Sequence, residues 1–147
     1  MDLLSTLQGK RVYLDANVFI YALEAYAPFV SPITELFESL DRGEIHAVTS
    51  ELTLAETLVK PLLDQNLARQ NAYEQAIQTS TGLEAIPVRR EILRDAAKLR
   101  AQINIRLPDA IHMATAKQNG CTIFLTNDRK LKCPPEVELL HLSAMVS

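Results

Sequence analysis

The 147-residue chain predicts an α/β domain built on a parallel sheet, and three observations lead to that class. Short apolar runs alternate with helix-spaced patterns from one end of the chain to the other, as strand–crossover–strand units do. The run Cys121-Thr122-Ile123-Phe124-Leu125 is continuous, in the manner of strands buried on both faces. And Val12-Tyr13-Leu14 arrives at an acid, Asp15, before a small polar break and a second apolar run. That is a buried strand that ends on a carboxylate, turns and feeds a helix. In open α/β sheets the crevice beyond the carboxyl ends of the strands is where ligands bind.

The elements follow in order. After the turn Asp15-Ala16-Asn17, residues 18–24 read as a short helix. Pro28 interrupts, and a helix over 31–40 follows, with Ser31 as its cap, Pro32 at its first position and Ile33, Leu36, Phe37 and Leu40 at helical spacing. Residues 45–49 form a second strand that leads into a helix capped by Ser50, with Leu52, Ala55, Leu58 and Val59 as its apolar face and Pro61 near its end. A further helix covers 66–78, carrying Leu67, Tyr73, Ala76 and Ile77, and a third strand, 82–86, is closed by Pro87. The helix over 89–101 buries Ile92, Leu93, Ala96 and Leu99 and turns its basic residues outward. Pro108 starts another helix, which Gly120 stops. Residues 121–125 are the fourth strand, ending at Thr126-Asn127-Asp128, and 137–140 a fifth. Without repeats, linkers or low-complexity tracts, residues 1–147 read as one domain.

Composition narrows the function classes. The chain is 48% hydrophobic and 22% charged, with no apolar run near the roughly 20 residues that span a bilayer. The N-terminus lacks the basic start and apolar stretch of a signal peptide. Cys121 and Cys133 form neither a metal-ligand spacing nor a disulfide framework, so the expected setting is reduced and cytoplasmic, away from membranes. No Gly-rich phosphate loop exists, which removes nucleotide-binding ATPase readings. The net charge of −3 argues against holding nucleic acid by bulk electrostatics, yet residues 88–106 carry Arg89, Arg90, Arg94, Lys98, Arg100 and Arg106 against only Glu91 and Asp95. This segment is either a basic face for a polyanion or a solvated helix surface.

Four acids fall where the chain passes the carboxyl edge of such a sheet. Asp15 and Asp128 each follow a strand, Glu56 sits in the second turn of its helix, and Asp109 lies in the first turn of its own, where the helix dipole favours a carboxylate. Carboxylates brought together repel unless a cation lies between them, and hard oxygen donors with room for water suit Mg²⁺ or Mn²⁺. Such an ion orients water and stabilises charge on a phosphoryl transition state. His112, three residues after Asp109, is read as a packed side chain and not as a ligand. His46 and His141 have no partner at a recognisable spacing, and Cys121 is read as an inert core thiol.

The residues resemble the PIN domain, the metal-dependent ribonuclease fold of VapC-type toxins in toxin–antitoxin pairs. Val12-Tyr13-Leu14-Asp15-Ala16-Asn17 is similar to its first motif, Thr49-Ser50-Glu51-Leu52-Thr53-Leu54-Ala55-Glu56 to its second, Leu107-Pro108-Asp109-Ala110-Ile111-His112 to its third, and Leu125-Thr126-Asn127-Asp128 to its fourth. The resemblance implies a three-layer sandwich with a central parallel sheet of about five strands flanked by helices. It implies that Asp15, Glu56 and Asp109 are the acidic triad, that Asp128 is a fourth acid which tunes or water-bridges the metal, and that Asn17 and Thr126 support the cluster. Ala16 stands where a hydroxyl residue is frequent, so any hydrogen bond from that side chain is absent. All four acids are in place.

The implied activity is endoribonucleolytic hydrolysis of RNA phosphodiesters with Mg²⁺ or Mn²⁺. Asp15, Glu56, Asp109 and Asp128 would be the catalytic and metal-binding residues, and Arg89, Arg90, Arg94, Arg100 and Arg106 the candidates for RNA contact. The implied partners are an antitoxin and a second copy of the chain in a homodimer, both sought at the helices over 18–24 and 31–40. Two other readings compete. One is a catalytically silent PIN-fold RNA-binding or interaction module. The other is a phosphatase of the haloacid dehalogenase type with Asp15 as nucleophile, against which Asn17 stands where that chemistry wants a second acid.

Overall fold

A computed structural model describes residues 2–145. Its strands are β1 (Arg11–Leu14), β2 (His46–Ser50), β3 (Leu83–Ile86), β4 (Ile123–Thr126) and β5 (Glu138–His141). The helices are α1 (Leu3–Leu7), α2 (Ala16–Leu23), α3 (Val30–Asp41), α4 (Glu51–Leu63), α5 (Leu67–Ala76), α6 (Arg90–Ile103), α7 (Leu107–Gln118) and α8 (Leu142–Met145). The five strands form one parallel sheet in the order β3-β2-β1-β4-β5. The chain builds outward from β1 on one side, then returns to place β4 on its other side. The strand order therefore reverses between β1 and β4, and in an open α/β sheet that point opens a crevice.

Alternation along β1 feeds two cores. Val12 and Leu14 pack with α1 to α5, through Phe19, Ile33, Leu36 and Tyr73 among others. Tyr13 faces the opposite layer with Val48 and Phe124, against α6 and α7. This is the three-layer arrangement, and the fully buried β4 explains the continuous apolar run read at 121–125. The small residues Ala110, Ala114 and Ala116 let α7 lie close on the sheet. No helix among the described residues is long and apolar enough to cross a membrane.

Several sequence expectations need correction. The turn expected at 15–17 is already helix: α2 starts at Ala16 because the Asp15 carboxylate caps it, accepting from the Ala16 N–H at 2.8 Å. Ser31 is not a cap; α3 opens two residues earlier than expected, at Val30 behind Phe29, with no side-chain cap. The buried face of α4 is Thr53, Thr57 and Pro61, while Val59 is 56% exposed and Ala55 faces solvent. Internal hydrogen bonds make this possible: Thr49 and Thr53 share one at 2.8 Å and the Thr57 hydroxyl donates to the Thr53 carbonyl at 3.0 Å. Leu93 and Leu67 are also exposed, whereas Ile92, Ala96, Leu99, Tyr73 and Ile77 are buried as expected. α1 and α8 were not anticipated, being a single turn or little more. At Gly82 any Cβ would overlap the backbone carbonyl of Leu40, so the entry to β3 admits no side chain.

Candidate active site

Asp15 ends β1 and sits where the sheet order reverses. Its backbone N–H still pairs with the Leu125 carbonyl of β4 at 3.1 Å, so the residue is locked to both central strands. One carboxylate oxygen, Oδ1, caps α2; the other, Oδ2, accepts a 2.6 Å hydrogen bond from the Thr126 hydroxyl. Thr126, the fully buried last residue of β4, also accepts from the Asp128 N–H at 3.1 Å. One hydroxyl thus ties the acid after β1 to the acid after β4. Asn17 joins them, its Nδ2 lying 3.5 Å from the same hydroxyl.

Asp109 enters from α7, in the first turn behind Pro108. Burial pushes its carboxyl pKa up; the Arg106 guanidinium pulls it back, and the charges of Asp15 and Asp128 raise it again. The three aspartates therefore share one electrostatic neighbourhood. Beside them a pocket of about 300 Å³ is lined by Asp109 and Asp128 together with Arg106, Lys130 and Lys132. Acids and cations thus line the same pocket.

Glu56 projects from the second turn of α4 and accepts a 2.6 Å hydrogen bond at Oε1 from the ring of His112. His112 is buried, as expected, but it is not isolated: its Nδ1 lies 2.6 Å from the Tyr13 hydroxyl. Burial, reinforced by the nearby Asp15 charge, holds the Tyr13 phenol well above its ordinary pKa and keeps it protonated.

The expected basic residues divide. Arg106 lines the pocket beside the acids. Arg100 is engaged elsewhere, its Nη1 donating to the Ile105 carbonyl at 2.7 Å and bracing the left-handed turn at Asn104. Arg89, Arg90 and Arg94 are exposed around the start of α6. Lys130 and Lys132 were missed; they follow Asp128 closely in sequence, and that proximity was the available signal. Tyr13 and His112 were missed as partners of an acid, although a buried tyrosine needs a hydrogen-bond partner for its hydroxyl.

Does the site suit a divalent cation? Among the described residues no three His, Cys, Asp or Glu side chains are gathered into a ready ligand set. The donor chemistry fits: hard carboxylate oxygens, those of Asp109 and Asp128 on one pocket, plus Asn17 Oδ1, a buried acceptor with no hydrogen-bond partner among the described residues.

Fold and site together define a parallel α/β domain with carboxylates after its two central strands, where the strand order reverses. The PIN domain model matches residues 12–135 of the 147, and the chain belongs to the PIN domain family. Its fold is shared with VapBC2 from Rickettsia felis, solved bound to a DNA fragment from its promoter, at a TM-score of 0.70 and 17% identity over 89% of this chain and 98% of that one. VapBC from Salmonella typhimurium, also DNA-bound, matches at 0.66 and 17% identity over 90% and 98%. VapC20 from Mycobacterium tuberculosis, a toxin that cleaves the sarcin-ricin loop, matches at 0.62 and 17% identity over 77% and 86%. At these identities the likeness establishes fold alone. No curated protein matches the sequence.

Proposed function

We propose that the chain is a metal-dependent endoribonuclease that hydrolyses RNA phosphodiesters with Mg²⁺ or Mn²⁺, and that it is the toxin of a toxin–antitoxin pair. The observation that carries the reading is the Thr126 hydroxyl that joins Asp15 to Asp128 at the strand-order reversal, with Asp128 and Asp109 lining one pocket. Membership of the PIN domain family supports it, as does the fold shared with VapC20, a toxin that cleaves the sarcin-ricin loop.

Asp15, Glu56, Asp109 and Asp128 would hold the cation, which supplies an activated water and charge stabilisation when bound. The remaining work falls to the chain itself. Thr126 fixes Asp15 and Asp128 relative to one another, and Asn17 offers a further oxygen. Arg106, Lys130 and Lys132 face the pocket and suit the flanking phosphates. A nucleophilic role for Asp15, as a phosphatase would need, fits less well, because Asn17 stands where that chemistry wants a second acid.

An antitoxin and a second copy of the chain are the proposed partners, supported by the toxin–antitoxin complexes that share the fold. α2 and α3 remain the place to look. Tyr26, at the turn between them, is 49% exposed and stacked on Tyr21, whose hydroxyl lies 3.4 Å from Asn127 beside the acids. The test of the activity is purified protein on total RNA with Mg²⁺, Mn²⁺ or EDTA. Cleavage that needs a divalent ion and is lost in a folded Asp15→Asn variant supports the reading; tight RNA binding without cleavage under any metal favours the silent module instead.

A further inference from the structure

His112 sits at the junction of three elements: its own α7, the β1 residue Tyr13 and the α4 residue Glu56. Both ring nitrogens have partners at 2.6 Å, the Tyr13 hydroxyl at Nδ1 and Glu56 Oε1 at Nε2. A carboxylate oxygen can only accept, so Nε2 carries the proton. A neutral ring must then accept at Nδ1, which the Tyr13 O–H supplies. With the ring neutral, one assignment satisfies both contacts, Tyr13 O–H to Nδ1 and Nε2–H to Oε1. The phenol is itself held fast, stacked on Phe124 at 4.8 Å and edge-on to the imidazole at 5.7 Å.

We propose that His112, oriented by Tyr13, is a positioning residue for Glu56, an inference that rests on the metal-dependent reading above. Glu56 has the longest and most flexible side chain of the four acids, and it projects from a helix rather than a strand end. Its side chain is 35% exposed while that of His112 is 3% exposed, so the hydrogen bond anchors a surface carboxylate to a rigid buried group. With Oε1 tied inward, Oε2 is the oxygen left for a cation. His112 lies one helical turn beyond Asp109, so α7 presents one acid and aligns another. A histidine buried only to fill space would need no acid from a second helix. Partners of this kind, which orient a ligand without touching the ion, typically account for 10–100-fold in metal affinity.

The experiment is a Mn²⁺ titration, by calorimetry and by EPR of free Mn²⁺, on the full chain and on variants checked for folding by circular dichroism. His112→Leu should weaken Mn²⁺ binding by about 10–100-fold, and His112→Gln, which keeps a donor near Nε2, should recover most of it. In a Glu56→Ala background His112→Leu should cost at most twofold, since its effect runs through Glu56. An equal loss in both backgrounds, or no loss with Glu56 present, overturns the positioning role while leaving the metal reading standing. Absence of Mn²⁺ binding by the unaltered protein overturns the metal reading, and this inference with it. If His112→Leu does not fold, Tyr13→Phe decides by the same comparison, together with the ¹⁵N signals of His112 in metal-free protein. Those signals must report the Nε2–H tautomer; an Nδ1–H tautomer contradicts the proposal.

Discussion

The Thr126 hydroxyl donates to Asp15 Oδ2 at 2.6 Å and accepts from the Asp128 N–H at 3.1 Å, so a single buried oxygen joins the ends of the two central strands. Replacing it with the isosteric Val keeps the packing and removes both bonds. Thr126→Val is expected to cost roughly 1–3 kcal/mol, because buried groups lose their partners, and Thr126→Ser should restore most of it. Urea denaturation of the three proteins checks this. Equal stability of the Val variant would mean that the hydroxyl does not organise the crevice.

A second expectation concerns charge. Burial, joined by the charges of Asp15 and Asp128, raises the pKa of Asp109 despite Arg106, so the cation-free site holds that carboxylate at a cost. Asp109→Asn should therefore raise the melting temperature in EDTA, by a few degrees. It should also abolish the further rise that Mn²⁺ gives the unaltered protein, since an ion stabilises only the state that binds it. A lower melting temperature in EDTA would contradict that cost.

Tyr73 joins α5 to α2 through a 3.0 Å hydrogen bond to Glu24. Burial, aided by Glu24, raises its pKa from 10.0 to about 12. The folded state thus keeps a proton that the unfolded chain releases first. Its stabilising contribution is complete below pH 10 and is lost as pH rises toward 12. Thermal melts between those limits should show a steeper decline for the unaltered protein than for Tyr73→Phe; parallel declines would assign the alkaline loss to other groups.

The thiols offer a probe of core rigidity. Burial pushes Cys121 up to about 12, so almost no thiolate exists near neutrality. In a Cys133→Ser variant, the remaining thiol should react with a chromogenic disulfide reagent only after denaturant is added. Prompt reaction of the native variant would show that the segment leading into β4 opens readily.

Gly82→Ala tests the close approach of the entry to β3 to the end of α3. The added Cβ would meet the Leu40 carbonyl, a backbone atom that cannot swing aside. Overpacking of this kind typically costs about 1–3 kcal/mol, visible as a lower denaturation midpoint with the slope unchanged.

Much of this architecture was legible in the chain. Asp15 and Asp128 could be placed because a short apolar strand leads directly into each, and Asp109 because Pro108 marks a helix start. The face of α4 was not legible. Leu58 packs on the core as its spacing suggests, but Ala55 and Val59 face solvent, and the most buried positions are threonines whose hydroxyls are satisfied by Thr49 and by the helix itself. Hydropathy cannot register a hydroxyl that has found a partner. His112 was hidden for the related reason that its two partners lie 99 and 56 residues away in sequence, and no spacing rule connects them. The basic wall was half visible. The segment 88–106 is rich in arginine, yet of these only Arg106 lines the pocket, where Lys130 and Lys132 complete it.

Cleavage of total RNA by Asp109→Asn, beside unaltered protein in Mn²⁺, tests the central claim most directly. The unaltered protein should cut, stop on chelation with EDTA and resume when Mn²⁺ is restored in excess, while the folded variant stays inactive throughout. A folded Asp109→Asn protein that cuts at the unaltered rate, or cutting that persists in EDTA, would contradict a metal-dependent site built on these acids.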